Sequence, residues 1–357
     1  MNSIAQQAPQ RKVAIGVDTH KYLHVAVALD ELGGRLADLT VSADSGGYAL
    51  LEAWATGLGR IIAFGIEGTG SYGAGVTSHV RRCGHRVIEV NRPDRRERRL
   101  SGKSDLLDAE NAARAVLSGR ATATPKAADG QIEMLRQIKI AKDTAVKART
   151  QAMVTLKTLI VTAPPDLREE LQGLPRMALI ERCAGLRPGP VTTPIAATKH
   201  ALRGLARRWQ LLQTEIMEHE RQLTTITSAV APAMVAAFGI GADTAAELLI
   251  VAGDNPDRVH SEAAWAKLCG VCPIPASSGL RTRYRLNRGG HRQANAALYR
   301  TVIVRLRFHQ PTIDYVARRT AEGKTKAEII RCLKRYVARE VWAYLHPERH
   351  ERPELVA

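Results

Sequence analysis

Aromatic side chains are scarce in this sequence, where Phe, Trp and Tyr together make up 4% of 357 residues. Recognition that depends on a platform of stacked rings is therefore not expected. Long hydrophobic runs are missing too, since no stretch approaches the roughly 20 residues that a membrane-spanning helix needs. The segment MNSIAQQAPQRK at the start has none of the apolar core of a secretory signal. We therefore expect a cytoplasmic protein without a membrane partner.

Cysteine is also infrequent, with five residues in the chain. In a cytoplasm we expect all of them to stay reduced. Cys269 and Cys272 form a single C-x-x-C motif, but no second pair of cysteines or histidines follows at zinc-finger spacing. We therefore expect no zinc site.

Acidic residues are outnumbered, with 35 Asp and Glu against 52 Lys and Arg, which gives a formal net charge of +17. An excess of this size indicates a polyanionic partner that is held through its phosphates. Hydrophobic residues, at 45% of the chain, are enough to build a core in each of two or three domains.

The chain changes character about one third of the way along. From Val13, apolar β-branched runs alternate with helical patterns in the order strand, hairpin, helix, strand, helix, strand, helix. This order predicts a mixed α/β sheet with helices on its faces. From Gln131 onward long helical patterns dominate, and Pro164 and Pro165 end the first of them. We place the boundaries of three regions at 11–125, 126–230 and 231–346.

Two helical segments each allow two interpretations. The segment FGIGADTAAELL opens a helix with a Gly-x-Gly turn, which suits either a phosphate at the helix N-terminus or a tight turn between helices. A second helix carries an apolar seam that packs either inside its own domain or, as we favour, against a second copy of the chain. The seam residues fall at a and d positions of three heptads: Leu202, Leu205, Trp209, Leu212, Ile216 and Leu223.

Four acidic residues stand where a chemical site is expected. Asp18 ends the first predicted strand and Glu67 the second core strand, while Asp105 and Asp108 are three apart and share a helix face. Strand ends and a helix start can converge at one point of such a sheet, where four carboxylates repel one another unless a cation relieves the repulsion. Oxygen ligands of this kind select Mg²⁺ or Mn²⁺, which serve phosphodiester chemistry. Each acid by itself is equally compatible with a solvated surface position.

The segments VAIGVDTHK, GIEGTGSYGAG and NRPDRRERRLSGKSDLLDA resemble the N-terminal domain of the DEDD-type insertion-sequence transposases of the IS110 family. The resemblance implies an α/β RNase H-like (RuvC-like) domain, followed by an α-helical coiled-coil region and an α-helical transposase domain. It also implies that Asp18, Glu67, Asp105 and Asp108 are the catalytic metal ligands of that domain.

The segment GVCPIPASSGLRTRYRLNRGGHRQANAALYR resembles the C-terminal transposase segment of the same family, whose G-x-x-P-x-x-x-x-S-G pattern carries a nucleophilic serine. The resemblance implies Ser278 as that nucleophile because it directly precedes Gly279, with Ser277 as the alternate. Many members have a second glycine and a lysine after the Ser-Gly, whereas this chain has Leu280 and Arg281.

Arginines cluster beside both proposed chemical segments, and arginine binds phosphate through two parallel hydrogen bonds. We expect nucleic-acid contacts from Arg92, Arg95, Arg96, Arg98, Arg99, Lys103, Arg281, Arg283, Arg285, Arg288 and Arg292. Double-stranded DNA is the expected partner. The resemblance further implies a structured guide RNA, the bridge RNA. From the apolar seam we also expect a homo-oligomer, a dimer or tetramer, and we expect the protein to act at the bacterial nucleoid.

The sequence therefore predicts an insertion-sequence transposase that cuts, exchanges and rejoins DNA strands through a metal-assisted serine–phosphate intermediate. One alternative is a RuvC-like structure-specific nuclease, such as a junction resolvase, which forms no covalent intermediate. A second alternative is a non-catalytic nucleic-acid-binding protein. Detection of a covalent protein–DNA species would distinguish the transposase from both alternatives.

Overall fold

The computed structural model describes residues 11–90, 104–255, 258–279 and 281–349. The chain forms two compact units, Met1–Ala128 and Asp129–Ala357. The predicted boundary near residue 125 lies close to the division between them. The further boundary at residue 230 falls inside the second unit, so the separation of a coiled-coil region from a transposase domain stays a prediction.

The first unit is built on a five-stranded mixed sheet. Its strands are β1 (Lys12–Thr19), β2 (Leu23–Asp30), β3 (Arg35–Ser42), β4 (Arg60–Glu67) and β5 (Val87–Val90), in the spatial order β3-β2-β1-β4-β5. The pairs β1/β2 and β2/β3 are antiparallel, whereas β1/β4 and β4/β5 are parallel. The predicted hairpin and mixed sheet are confirmed, and the arrangement is consistent with the expected RNase H-like fold.

Three helices cover this sheet, and polar caps start two of them. They are α1 (Ser45–Leu58), α2 (Ala74–Arg82) and α3 (Asp105–Leu117). Asp44 caps α1, and Ser104 caps α3 by accepting a hydrogen bond from the Leu107 amide at 3.2 Å. The cap fixes the first turn of α3, which contains two of the predicted site acids.

The two faces of the sheet bury different apolar sets. On one face, Ile15 and Phe64 pack with Leu51 of α1 and Val76 of α2. On the other face, the alanines of α3 pack against the alternate residues of β1 and β2. Because side chains of a strand alternate between faces, Asp18 and Glu67 belong to the face covered by α3.

The second unit is mainly helical, with one short ribbon. Its elements are α4 (Gln131–Val161), α5 (Pro165–Gln172), α6 (Arg176–Ala184), α7 (Pro194–Val230), α8 (Pro232–Ala236), α9 (Ala242–Ala252), α10 (Glu262–Leu268), β6 (Ile274–Pro275), β7 (Tyr284–Arg285), α11 (Arg292–Phe308), α12 (Gln310–Ala321), α13 (Lys326–Leu345) and a 3₁₀ turn (Pro347–Arg349).

The apolar seam of α7 is filled within the chain, which corrects the expectation that it pairs with a second copy. Helices α4 and α7 form a long antiparallel pair, in which Leu156 of α4 shares a core with Leu202 and Trp209. At the other end of the pair, Leu135 and Leu223 share the core of the C-terminal helices. Leu202, Trp209, Ile216 and Leu223 of the seam are buried in this way, whereas Leu205 and Leu212 are half-buried.

A carboxylate in the first turn of α9 pairs with lysines of α4. Lys142, which is buried, donates to Asp243 Oδ1 at 2.8 Å, and the equally buried Lys139 lies 3.4 Å from the same oxygen. Burial alone would raise the pKa of Asp243, but Lys142 and Lys139 outweigh it and hold that pKa below its ordinary value. The Gly-x-Gly segment forms a tight turn, with Gly239 at φ +80° and the Ile240 amide bonded to the Ala237 carbonyl at 3.0 Å, and phosphate binding there stays a prediction.

The first cysteine of the C-x-x-C motif lies in the core of the second unit. Cys269 is fully buried in the helical core, and burial raises the pKa of its thiol to about 12. A protonated core thiol is a poor zinc ligand.

In the parts of the chain that the structure describes, no helix combines the length and apolarity needed to cross a membrane.

Candidate active site

Asp18 and Glu67 lie at the same edge of the sheet, on its two central parallel strands. The register pairs Gly16 with Gly65 and Val17 with Ile66, so each acid follows a matched pair near the end of its strand. Thr19 Oγ1 donates to the backbone carbonyl of Glu67 at 2.9 Å, which ties the two strand ends together.

Two glycines let α3 approach this face closely. A Cβ atom on Gly16 would lie 1.9 Å from the Ala109 carbonyl oxygen, and one on Gly65 would lie 2.8 Å from the Ala112 carbonyl oxygen. Any side chain at either position therefore requires the helix backbone to move. Each glycine stands two residues before an acid, so the same strand face carries first the helix contact and then the carboxylate.

The start of α3 brings its acids to Asp18. One oxygen each of Asp18 and Asp105 and a ring nitrogen of His20 all lie within 4.8 Å of one another. His20 Nε2 is 3.2 Å from Asp18 Oδ2 and 3.4 Å from Asp105 Oδ2, which is ion-pair distance without well-aligned hydrogen bonds. We call Asp18, His20, Asp105 and Asp108 the acidic cluster.

Like charge and burial act together on Asp18. Burial raises the pKa of Asp18 most, the charge of His20 opposes this, and Asp108 and Asp105 raise it further, which leaves the pKa above its ordinary value. Asp18 and Asp108 are 9% and 7% exposed. Ionised carboxylates in so little water are destabilised unless positive charge compensates them.

The structure brings two of the four predicted acids, Asp18 and Asp105, together with a histidine that the sequence analysis missed, and the charge of Asp108 also acts on Asp18. Glu67, half-buried, stands at the same sheet edge, but its carboxylate is not part of the three-residue group of closely spaced ligand atoms. Its role as a fourth ligand therefore stays a prediction. His20 lies two residues after Asp18 in VDTHK, and that proximity in sequence was the available signal.

The donor set of the acidic cluster fits a hard divalent cation. Asp18 and Asp105 offer oxygens close enough to share one ion, and the buried charge of Asp108 adds to the local negative potential. Carboxylate oxygens are the ligands that Mg²⁺ and Mn²⁺ prefer. The same cation would relieve the repulsion that raises the pKa of Asp18.

Of the basic residues predicted to bind nucleic acid, the structure describes one group and leaves the other outside the described residues. Arg92, Arg95, Arg96, Arg98, Arg99 and Lys103 lie outside the described residues. Those of the second unit are described, and all are exposed: Arg281, Arg283, Arg285, Arg288 and Arg292.

The two predicted serines lie near the tip of a short antiparallel ribbon formed by β6 and β7. Ile274 pairs with Arg285, Pro275 with Tyr284, and Ser278 with Arg281. Only two residues separate the last pair, and the first of them, Gly279, has φ +54°, a conformation that glycine adopts without strain.

The hydroxyls of the two serines have different environments. Ser277 Oγ accepts a hydrogen bond from the Arg283 amide at 3.1 Å and donates to the Arg283 carbonyl at 3.4 Å. Ser278 is exposed and pairs with Arg281 through backbone groups only, at 3.3 and 3.2 Å. As far as the described residues reach, no hydrogen bond engages the Ser278 hydroxyl.

Comparison with protein families covers both parts of this candidate site. Residues 15–165 match the model of the DEDD transposases of IS110 type, and residues 234–317 match that of the IS116/IS110/IS902 transposases. Together the two ranges span about two thirds of the chain. The chain belongs to the IS110 family of transposases. Comparison with curated proteins gave no match.

Both chemical segments of this IS110-family transposase lie inside the matched ranges. The DEDD match includes Asp18, Glu67, Asp105 and Asp108, and the second match includes Ser278. Family membership supports DNA strand transfer as the activity and DNA as the substrate. It also supports the use of a divalent metal.

Proposed function

We propose that this transposase cuts and rejoins DNA through a covalent phosphoserine intermediate formed by Ser278. The observation that carries the proposal is the contrast within the serine pair. Both side chains are exposed, but the Ser277 hydroxyl is hydrogen-bonded to the ribbon backbone, whereas that of Ser278 has no hydrogen bond among the described residues. A serine hydroxyl attacks phosphorus only when charge beside it favours the ionised or partly ionised form. The adjacent arginines supply positive charge of that kind.

Metal binding falls to the acidic cluster in the first unit. Asp18, Asp105 and Asp108 would hold Mg²⁺ or Mn²⁺, with Glu67 as the expected fourth ligand. When bound, the ion stabilises negative charge on phosphate and leaving oxygens. The Ser104 cap fixes the first turn of α3, and the close contacts at Gly16 and Gly65 fix α3 against the sheet. Both position Asp105 and Asp108 for metal binding.

Guidance by a bridge RNA is the second part of the proposal. The net charge of +17 is compatible with a second nucleic-acid partner besides DNA, and aromatic residues for reading bases are few. A protein that grips backbone and leaves sequence to base pairing needs no more than this. Sequencing the RNA that co-purifies with the protein tests the idea: we expect one structured species, and a random mixture of cellular RNAs would contradict it.

Trapping on labelled DNA tests the covalent chemistry. In Mg²⁺, denatured samples of the wild type and of Ser277→Ala should both carry a protein–DNA adduct, mapped to Ser278 by mass spectrometry. Ser278→Ala should bind DNA and give no adduct. Asp18→Asn should bind DNA, lose the adduct, and no longer gain thermal stability on addition of Mn²⁺.

Three results would count against the proposal. An adduct that persists in both serine variants places the nucleophile elsewhere. Strand cleavage without any adduct points instead to a hydrolytic nuclease of the RuvC type. DNA binding with neither cleavage nor adduct in the wild type points to a non-catalytic binding protein.

A further inference from the structure

The ribbon formed by β6 and β7 has two chemically different faces. Directly opposed residues of an antiparallel pair share a face, and the face alternates at each step along the strand. The observed pairs Ile274/Arg285, Pro275/Tyr284 and Ser278/Arg281 keep one register throughout. Extending the alternation from the two strands to the bridge at Ser278 places Ile274, Ala276, Ser278, Arg281, Arg283 and Arg285 on one face.

Every arginine of the returning strand lies on the face of Ser278. Arg281 stands directly across from the serine, and Arg283 and Arg285 follow at intervals of two residues. Two residues along a strand span about 7 Å, so the three guanidinium groups form a row of evenly spaced positive charges. The opposite face presents Ser277, Thr282 and Tyr284 and has no cation among these positions.

Some arginines elsewhere in the chain pair with carboxylates of their own helix. Arg114 pairs with Glu110, Arg136 with Glu133 at 2.6 Å, and Arg221 with Glu218 at 2.7 Å. Arg281, Arg283 and Arg285 have no carboxylate within ion-pair distance in the described ranges. Three neighbouring guanidinium groups without an internal anion are expected to take an external one.

The base of the ribbon is fixed, so its faces have a defined direction. A Cβ atom on Gly290 would lie 2.3 Å from the Gly270 Cα, which shows how closely the two ends of the segment pack. Asn295 Nδ2 donates to the Cys269 carbonyl at 2.9 Å, and Lys334 Nζ donates to Asn295 Oδ1 at 2.9 Å. The arginine row is thus held by the helical core and does not depend on its own tip for orientation.

We propose that the Ser278 face of the ribbon is the surface along which the cleaved DNA strand lies. Arg281 holds a non-bridging oxygen of the phosphate that Ser278 attacks, and Arg283 and Arg285 hold phosphates further along the same strand. This inference rests on the proposed role of Ser278 as nucleophile. It adds a substrate-contacting residue, Arg281, and a direction for the strand.

The chemical step is balanced without any further reactant. The Ser278 oxygen forms one bond to phosphorus, and the bond from phosphorus to a bridging sugar oxygen breaks. The serine hydroxyl loses a proton to water and the leaving sugar oxygen gains one. The Arg281 guanidinium stabilises the extra negative charge on the non-bridging oxygens.

A position swap within the ribbon tests whether the face on which the arginine lies matters, or only the net charge of the ribbon. The double variant Arg281→Thr with Thr282→Arg keeps composition and net charge but moves the guanidinium to the opposite face. We expect it, like Arg281→Gln, to form the adduct about a hundredfold more slowly than the wild type, the usual loss for a single transition-state donor. Arg331→Gln, an exposed change of the same charge on α13, should form it at the wild-type rate.

Neutralising one phosphate tests the contact directly. A methylphosphonate at the cleaved position removes the charged oxygen that Arg281 is proposed to hold, so Arg281→Gln and the wild type should then differ by less than threefold. In metal-free gel shifts, the same substitution should weaken binding of the wild type and leave binding of Arg281→Gln unchanged. Melting curves check that every variant is folded.

The outcomes separate this inference from the function on which it rests. Wild-type adduct rates in the swap variant, or an unchanged rate ratio on the methylphosphonate substrate, would overturn the inference and leave the nucleophile in place. If the wild type gave no adduct, but methylphosphonate weakened DNA binding by the wild type and not by Arg281→Gln, the strand path would stand and the phosphoserine intermediate would be rejected. Interference that is equal in the wild type and Arg281→Gln would overturn the strand path.

Discussion

At the scale of single residues, burial separates histidines that look alike in the sequence. His24 on β2 is fully buried and stacks on Tyr48 of α1, with ring centroids 5.6 Å apart and planes at 9°. His79 of α2 contacts the same tyrosine ring. Burial lowers the pKa of His24 below its ordinary value of 6.5, the Leu23 backbone opposes this, and the charge of His20 lowers it further.

This lowered pKa makes stability depend on pH in a defined direction. Below pH 6.5 the unfolded chain binds a proton at His24 that the folded state binds less well, so stability falls as the pH drops toward the folded pKa. Above pH 6.5 neither state is protonated there and the effect vanishes. His24→Phe keeps a flat ring against Tyr48 and should lose less melting temperature than the wild type between about pH 7 and pH 5.

The matched control for that experiment is His200→Phe, at an exposed position on α7. Its melting temperatures should follow those of the wild type across the same range, because the His200 ring is exposed and its replacement removes no buried contact. Parallel curves for His24→Phe and the wild type would show that His24 is not the responsible group. Other titrating residues cancel in the comparison, since all three proteins share them.

At the scale of elements, contact between α3 and the sheet holds the acidic cluster together. Gly16→Ala would place a Cβ atom 1.9 Å from the Ala109 carbonyl oxygen, so α3 must move away from β1. We expect a loss of about 1–3 kcal/mol of folding free energy or more, as for other overpacked sites. Because Asp105 and Asp108 move with α3, Mn²⁺ affinity measured by calorimetry should fall as well.

Gly57→Ala is the control for this change, since Gly57 lies within α1 and a Cβ atom there meets nothing within 4 Å. Alanine in a helix is favoured over glycine by about 0.5–1 kcal/mol, so this variant should be as stable as the wild type or more stable. If Gly16→Ala kept both its stability and its metal affinity, the close packing of α3 would not be what positions the acids.

The elements themselves were largely predictable, because alternation, caps and prolines act within a few residues. The strand ends at Asp18 and Glu67 and the shared helix face of Asp105 and Asp108 follow from such local patterns. The place of His20 between two carboxylates does not, since it depends on how α3 crosses the sheet. The different environments of Ser277 and Ser278 likewise depend on ribbon register, which hydrogen bonds across strands decide.

At the scale of the whole molecule, the long helical pair changes where an oligomer interface is to be sought. A homo-oligomer, dimer or tetramer, was predicted from the apolar seam and stays a prediction. The seam of α7, however, is buried against α4 and its neighbours, with Leu202 fully buried and Trp209 5% exposed. Any interface between copies must therefore use other surfaces, and changes in the seam should act on folding.

Truncation of a seam residue tests this assignment, because a buried core residue should affect the free energy of unfolding and not the molar mass of the protein in solution. Trp209→Ala removes a buried ring that packs in the core with Leu156 and lies 5.7 Å from the Arg149 guanidinium. Loss of such a side chain costs about 3–5 kcal/mol of unfolding free energy. Light scattering below the melting temperature should give the wild-type molar mass. Leu211→Ala, two residues further on and 73% exposed, should change neither quantity, whereas a lower mass with wild-type stability for Trp209→Ala would return the seam to an interface between copies.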